Sequence, residues 1–76
     1  MDQKKTGALI RVLRLEKGLT QQGLAELLGV SNRAVSKWER GLGCPDLSLL
    51  PALSLQLGVD LAGLLSGGLP EPDNTG

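Results

Sequence analysis

A chain of 76 residues has room for one domain and one small core, and with Trp38 as its single aromatic residue that core must come from Leu, Val, Ile and Ala. The formal charge is zero, there is no histidine, and Cys44 stands alone; this excludes an internal disulfide and leaves a thiol nucleophile without a base. A small domain without disulfides fits a reducing compartment, the cytoplasm.

The leucine-rich apolar set favours helices, and the chain reads as an all-α, compact five-helix domain. Residues 1–5 are expected to be a flexible N-terminus, 6–67 the folded domain, and 68–76 a disordered tail or the start of a linker, because that end is rich in Gly and Pro. The first helix is predicted from Lys5 to Lys17, ending before Gly18. Helical spacing puts Leu9, Ile10, Leu13 and the stem of Lys17 on its buried face, with Arg14 at the edge. The second helix is predicted to start at the N-cap Thr20 and to bury Leu24, Ala25, Leu27 and Leu28, with Gln22 and Glu26 facing out. Ala25 must be small where the third helix crosses. Gly29-Val30 makes a tight turn, with Gly29 expected at positive φ.

Ser31 is the predicted cap of a third helix that runs to about Arg40 and ends at Gly41. Its back is Ala34, Val35 and Trp38; its front is Asn32, Arg33, Ser36, Lys37 and Arg40, a row of hydrogen-bond donors of the kind a DNA major groove accepts. A loop, 41–46, follows. Pro51 complicates the fourth helix: with Asp46 as N-cap the proline would remove a helical hydrogen bond, so Ser48 is preferred. Leu50, Leu53 and Leu57 then face the core and the helix stops before Gly58. Val59 packs inward, Asp60 caps a fifth helix, and Leu61, Leu64 and Leu65 close the domain.

No apolar run is long enough for a membrane span or a signal peptide. From Lys4 to Ser66 eight cations face five acids, a net charge of +3, so the body is basic and only the ends are acidic. Nothing in the chain has the spacing of a phosphate loop, a metal site or a catalytic carboxylate pair, so no cofactor, metal or enzymatic activity is expected.

The stretch from Gly18 to Gly41 carries the functional signal. Thr20-Gln21 opens a helix, Leu24-Ala25 follows four residues on, Gly29-Val30-Ser31 makes the turn, Val35 is apolar, and Trp38-Glu39-Arg40-Gly41 closes it. This stretch resembles the helix-turn-helix of the phage repressor and Cro-like (XRE-type) family, formed by helices two and three, and the resemblance extends over about Thr6 to Gly67. The resemblance implies a prokaryotic or phage transcriptional regulator that binds double-stranded DNA sequence-specifically, as a repressor does, with the third helix in the major groove. By position it assigns base contacts to Asn32, Arg33 and Lys37, and phosphate contacts to Gln21, Ser36 and Arg40; Gln21 is also placed to brace the third helix. It implies a partly buried ion pair between Arg14 and Glu39. A single helix-three front touches only a few base pairs, so a weak homodimer on an inverted-repeat operator is expected, with the end from Leu55 to Leu65 as its interface, where Leu55 lies off the core-facing line of Leu50, Leu53 and Leu57. Against the family pattern, the loop from Leu42 to Asp46 carries no cation.

The bland reading of Asn32, Arg33 and Lys37 is a solvated helix face, and of Trp38 a core residue. The competing function is a protein-binding module, such as an antitoxin or adaptor built on the same fold. The donor-rich front of the third helix favours DNA.

Overall fold

The computed structural model describes residues 2–66, without the side chains of Leu61, Leu65 and Ser66; the tail expected from residue 68 and the core roles of Leu61 and Leu65 lie outside the described residues. Five α-helices follow in chain order: α1 (Gln3–Glu16), α2 (Gln21–Leu28), α3 (Asn32–Glu39), α4 (Leu50–Leu57) and α5 (Leu61–Ser66), with a 3₁₀ turn at Leu47–Leu49 leading into α4. The described residues include no strand.

α1 begins two residues earlier than the sequence pattern suggests, so residues 3–5 are its first turn and not a loose end. The reason is Asp2, whose carboxylate accepts a hydrogen bond from the Lys5 backbone N–H at 3.0 Å. That bond holds the Asp2 carboxyl below the usual carboxylate pKa. Thr20 and Ser31 cap α2 and α3 as expected, accepting from the N–H groups of Gly23 and Ala34. Gly29 ends α2 at φ +73°, a conformation glycine reaches without steric cost.

The start of α4 differs from the expectation. Ser48 is not its cap: Asp46 caps the 3₁₀ turn, its side chain accepting from the Ser48 N–H at 3.3 Å, and α4 itself starts after Leu49 with no side-chain cap. The 3₁₀ turn resolves the conflict over Pro51. It absorbs three residues before the α-helix starts, so the proline falls in the first turn of α4, where no helical donor is missed. At the other end of α4 the Ser54 hydroxyl donates to the Val59 carbonyl, and Asp60 caps α5 by accepting from the Gly63 N–H at 2.7 Å.

The core comprises Ile10, Leu24, Ala25, Leu28, Val35, Trp38, Leu50, Leu53, Leu57 and Leu64, with Leu9, Leu13, Ala34 and Val59 packed at its margin. Two apolar assignments fail. Leu27 is 52% exposed, because α2 is too short to bury two adjacent faces, and Lys17 is exposed with the end of its side chain lying over Gly58.

Sequence periodicity overlooked Thr6 and Gly7, both fully enclosed. The Thr6 hydroxyl donates to the Leu64 carbonyl at 3.1 Å, joining α1 to α5. A Cβ at Gly7 would lie 1.9 Å from the Trp38 carbonyl oxygen, so α1 and α3 cross with no room for a side chain. Gly7→Ala forces this crossing apart and is expected to cost about 3 kcal/mol, lowering Tm by about 10 °C or more. Gly43→Ala, where an added methyl meets nothing, keeps a Tm close to wild type. Equal thermal melts for the two variants would mean the crossing is loose.

Candidate nucleic-acid interface

α3 presents two unlike faces. Val35 and Trp38 are buried against α1 and α2, and Ala34 is half-buried. Asn32, Arg33, Lys37 and Arg40 are exposed and Ser36 is half-buried. The chain thus brings the predicted base-contacting residues Asn32, Arg33 and Lys37 onto one solvent-facing front, with Ser36 and Arg40 beside them. A shallow cleft runs along this front toward the following loop, lined by Arg33, Ser36, Lys37, Arg40, Leu42 and Cys44. Trp38 closes the cleft floor and is only 6% exposed, consistent with its core role.

The front is strongly donor-rich because its cations are free. Among the described residues Arg14 alone is in an ion pair; Arg33, Lys37 and Arg40 have no acidic group within salt-bridge distance. None of the three side chains is drawn into a hydrogen bond with the described residues, so their side-chain donors remain available.

The predicted Arg14–Glu39 pair is present and deeply set. Arg14 Nε donates to Glu39 Oε2 at 2.6 Å and a terminal guanidinium nitrogen donates to Oε1 at 3.0 Å, a two-pronged contact between α1 and the last residue of α3. Their side chains are 8% and 3% exposed. The hydrogen bonds to Glu39 raise the Arg14 pKa above its ordinary value, so the guanidinium charge is secure. The other guanidinium nitrogen donates to the Leu19 carbonyl at 2.8 Å, which ties in the turn before α2. Gln21 completes the set: its side-chain N–H donates to Glu39 Oε1 at 3.0 Å. This is the bracing contact expected of Gln21, and it leaves the second N–H of the same amide open. No buried polar side-chain atom among the described residues lacks a partner. The carbonyl of Leu19 as an acceptor carried no signal in the sequence, since any residue type supplies it.

Among the described residues no group of His, Cys, Asp or Glu is placed to hold a metal ion, and no helix is long and apolar enough to cross a membrane. The family described as helix-turn-helix matches the chain over residues 10–64, which takes in the α3 front and the Arg14–Glu39 anchor. The chain belongs to this helix-turn-helix family. The family is a DNA-binding, non-enzymatic class of transcription regulators. Among its relatives, the HTH-type transcriptional activator BcrR of Enterococcus faecalis is 47% identical over 58 residues, covering 76% of this chain and 28% of the relative. The SPbeta prophage-derived uncharacterized HTH-type transcriptional regulator YonR of Bacillus subtilis is 39% identical, covering 80% of this chain and 56% of the relative. The ImmF control region 10 kDa protein of Bacillus phage phi105 is 38% identical, with 80% and 68% covered. The helix-turn-helix domain therefore spans well under two thirds of the first two relatives. In structure it is similar to the clp gene regulator ClgR from Corynebacterium glutamicum, with a TM-score of 0.77, 33% identity, and 88% of this chain and 71% of that one covered.

The ion pair gives the first test of the helix-turn-helix geometry. Glu39→Ala strands a buried guanidinium and is expected to cost about 3 kcal/mol. Arg14→Met combined with Glu39→Leu removes both charges and recovers much of that loss. Thermal melts of the three proteins decide it; a Glu39→Ala variant melting with wild type would show the pair to be idle.

Proposed function

We propose that this chain is the operator-reading domain of a cytoplasmic, repressor-like transcriptional regulator. In this reading α3 lies in the major groove of double-stranded DNA. Arg33 donates a two-pronged pair to guanine, Asn32 pairs with adenine, and Lys37 reaches a further base edge. Gln21, through its open N–H, and Ser36 and Arg40 hold flanking phosphates. The observation that carries this is the unpaired donor front on a helix whose back is buried and whose end is anchored by Glu39. A front of that kind gains nothing within the fold and fits an anionic, acceptor-rich partner. The names of two relatives, a transcriptional activator and a transcriptional regulator, agree with a role in transcription. Activation and repression differ in what the rest of a regulator touches; this domain supplies the address.

One α3 front reads only a few base pairs, too few for specific binding at physiological salt. We therefore propose a weak homodimer on an inverted repeat, joined at the α4–α5 end. Leu55 is 78% exposed, with the exposed Pro51 one turn before it on α4, and Leu47 in the preceding 3₁₀ turn is 73% exposed, so this end carries uncovered apolar side chains. Two-fold symmetry across that end sets the half-sites about one helical turn of DNA apart.

The test is titration into an inverted repeat selected from random duplexes, and into the same half-sites with about five base pairs inserted, which turns them onto opposite faces. Cooperative binding is expected only on the first, and Leu55→Glu abolishes it. On the best site Arg33→Ala costs about 1–3 kcal/mol and relaxes preference at one base pair, while Arg11→Ala, on the outer side of α1, changes little. Equal, non-cooperative binding to both duplexes contradicts the dimer. Failure to bind any duplex, together with tight capture of a protein partner, contradicts the DNA reading and supports the adaptor class.

A further inference from the structure

A second cation is fixed at the end of α3 by packing, although it belongs to α1. Gly41 follows α3 at φ +73°, and a Cβ built on it would meet Lys4 Cγ at 2.9 Å and Lys4 Cα at 3.2 Å. The backbone of Lys4 and the base of its side chain therefore lie across Gly41. The absence of a side chain there is what lets them approach. Arg40, exposed, precedes the glycine, and the cleft along the α3 front begins on its other side at Leu42 and Gly43. Lys4 and Arg40 are thus two unpaired cations flanking one residue.

The loop that follows, Leu42 to Asp46, contributes no cation of its own. We propose that Lys4 supplies one from α1, and that Lys4 and Arg40 together grip a backbone phosphate of the DNA at the C-terminal end of α3. The proposal rests on the operator-reading function above and adds a contact to it.

The competing role for Lys4 is to answer the partial negative charge at the end of α3. Three of the carbonyls there are already occupied: Arg40 N–H donates to Ser36 O, Gly41 N–H to Trp38 O at 3.0 Å, and Leu42 N–H to Lys37 O at 2.9 Å. Lys4 makes no hydrogen bond to any of them. Its ammonium, three bonds beyond the atom that meets Gly41 at the end of α3, has no ion-pair partner among the described residues. A cation placed so, with nothing to neutralise it, suits an anion that arrives with the groove. Lys5, one residue on, is exposed and points about 100° away around α1, which makes it the natural control.

The experiment measures affinity of the full chain for its selected duplex and for an unrelated duplex between 50 and 200 mM salt. A phosphate contact contributes about 0.9 to the slope of log K against log salt, so the advantage of wild type over Lys4→Gln should shrink about 3.5-fold across that range. The loss should be alike on both duplexes, because a phosphate carries no sequence information. Lys4→Arg should keep the wild-type slope and Lys5→Gln should leave it unchanged. A Lys4→Gln slope equal to wild type overturns the proposal, and if its Tm has fallen as well, Lys4 serves the end of α3 instead. Equal slope losses from Lys4→Gln and Lys5→Gln also overturn it, since they mean a diffuse field. Wild type that binds neither duplex defeats the operator reading itself, a result distinct from a wild type that binds while Lys4→Gln matches it.

Discussion

Glu39 is where four parts of the domain meet. Its two carboxylate oxygens take three hydrogen bonds, two from Arg14 on α1 and one from Gln21 at the start of α2, while Arg14 reaches on to the Leu19 carbonyl. Glu39 is itself the last residue of α3. An eight-residue helix is marginal in isolation, so α3 exists as a helix only because the domain holds it. Val35 and Trp38 supply the apolar grip along its back, and that grip alone would tolerate rolling or sliding. A two-pronged charged contact at one end does not, because a displaced guanidinium leaves a buried charge unpaired. The pair gains little net stability after desolvation; what it fixes is the direction in which Asn32, Arg33 and Lys37 point.

α1 acts as the strut that makes this anchor firm. Within two residues it touches both ends of the domain: the Thr6 hydroxyl holds the Leu64 carbonyl on α5, and Gly7 lets the Trp38 backbone come into contact. Arg14, two turns on, takes Glu39. The donor front of α3 and the α4–α5 end are therefore joined through contacts of one helix, α1. Rigid presentation suits recognition, since base discrimination depends on donors arriving at fixed positions. A dimer through the α4–α5 end would place two such fronts at a set separation.

The fold was largely legible in the sequence because its signals are local. Thr20, Ser31 and Asp60 announce caps, Gly29 and Gly58 announce stops, and Leu50, Leu53 and Leu57 trace a face. The missed features are those where tertiary contact decides. Gly7 has no side chain to mark a crossing, and Thr6 reads as an ordinary polar residue before a helix although it is enclosed. Asp2 extends α1 by a cap that lies outside its apolar face. Asp46 does not read as a cap when Pro51 is set against an α-helix alone, because the 3₁₀ turn that separates them has no signature in the apolar pattern. In the site, Arg14 and Glu39 stood out through the family resemblance, and no spacing rule joins residues 25 apart. Lys4 gave no signal, since its significance comes from lying over Gly41, 37 positions away along the chain.

The central claim is that α3 is held in its reading posture before any DNA arrives. Amide hydrogen exchange in the free protein tests it most directly. The account predicts that the amides from Val35 to Glu39 are protected as strongly as those around Ile10 in α1, and that adding an operator duplex slows their exchange no more than it slows those α1 amides. Exchange of the α3 amides at the rate of an open chain in the free protein, with protection appearing only in the complex, would contradict it.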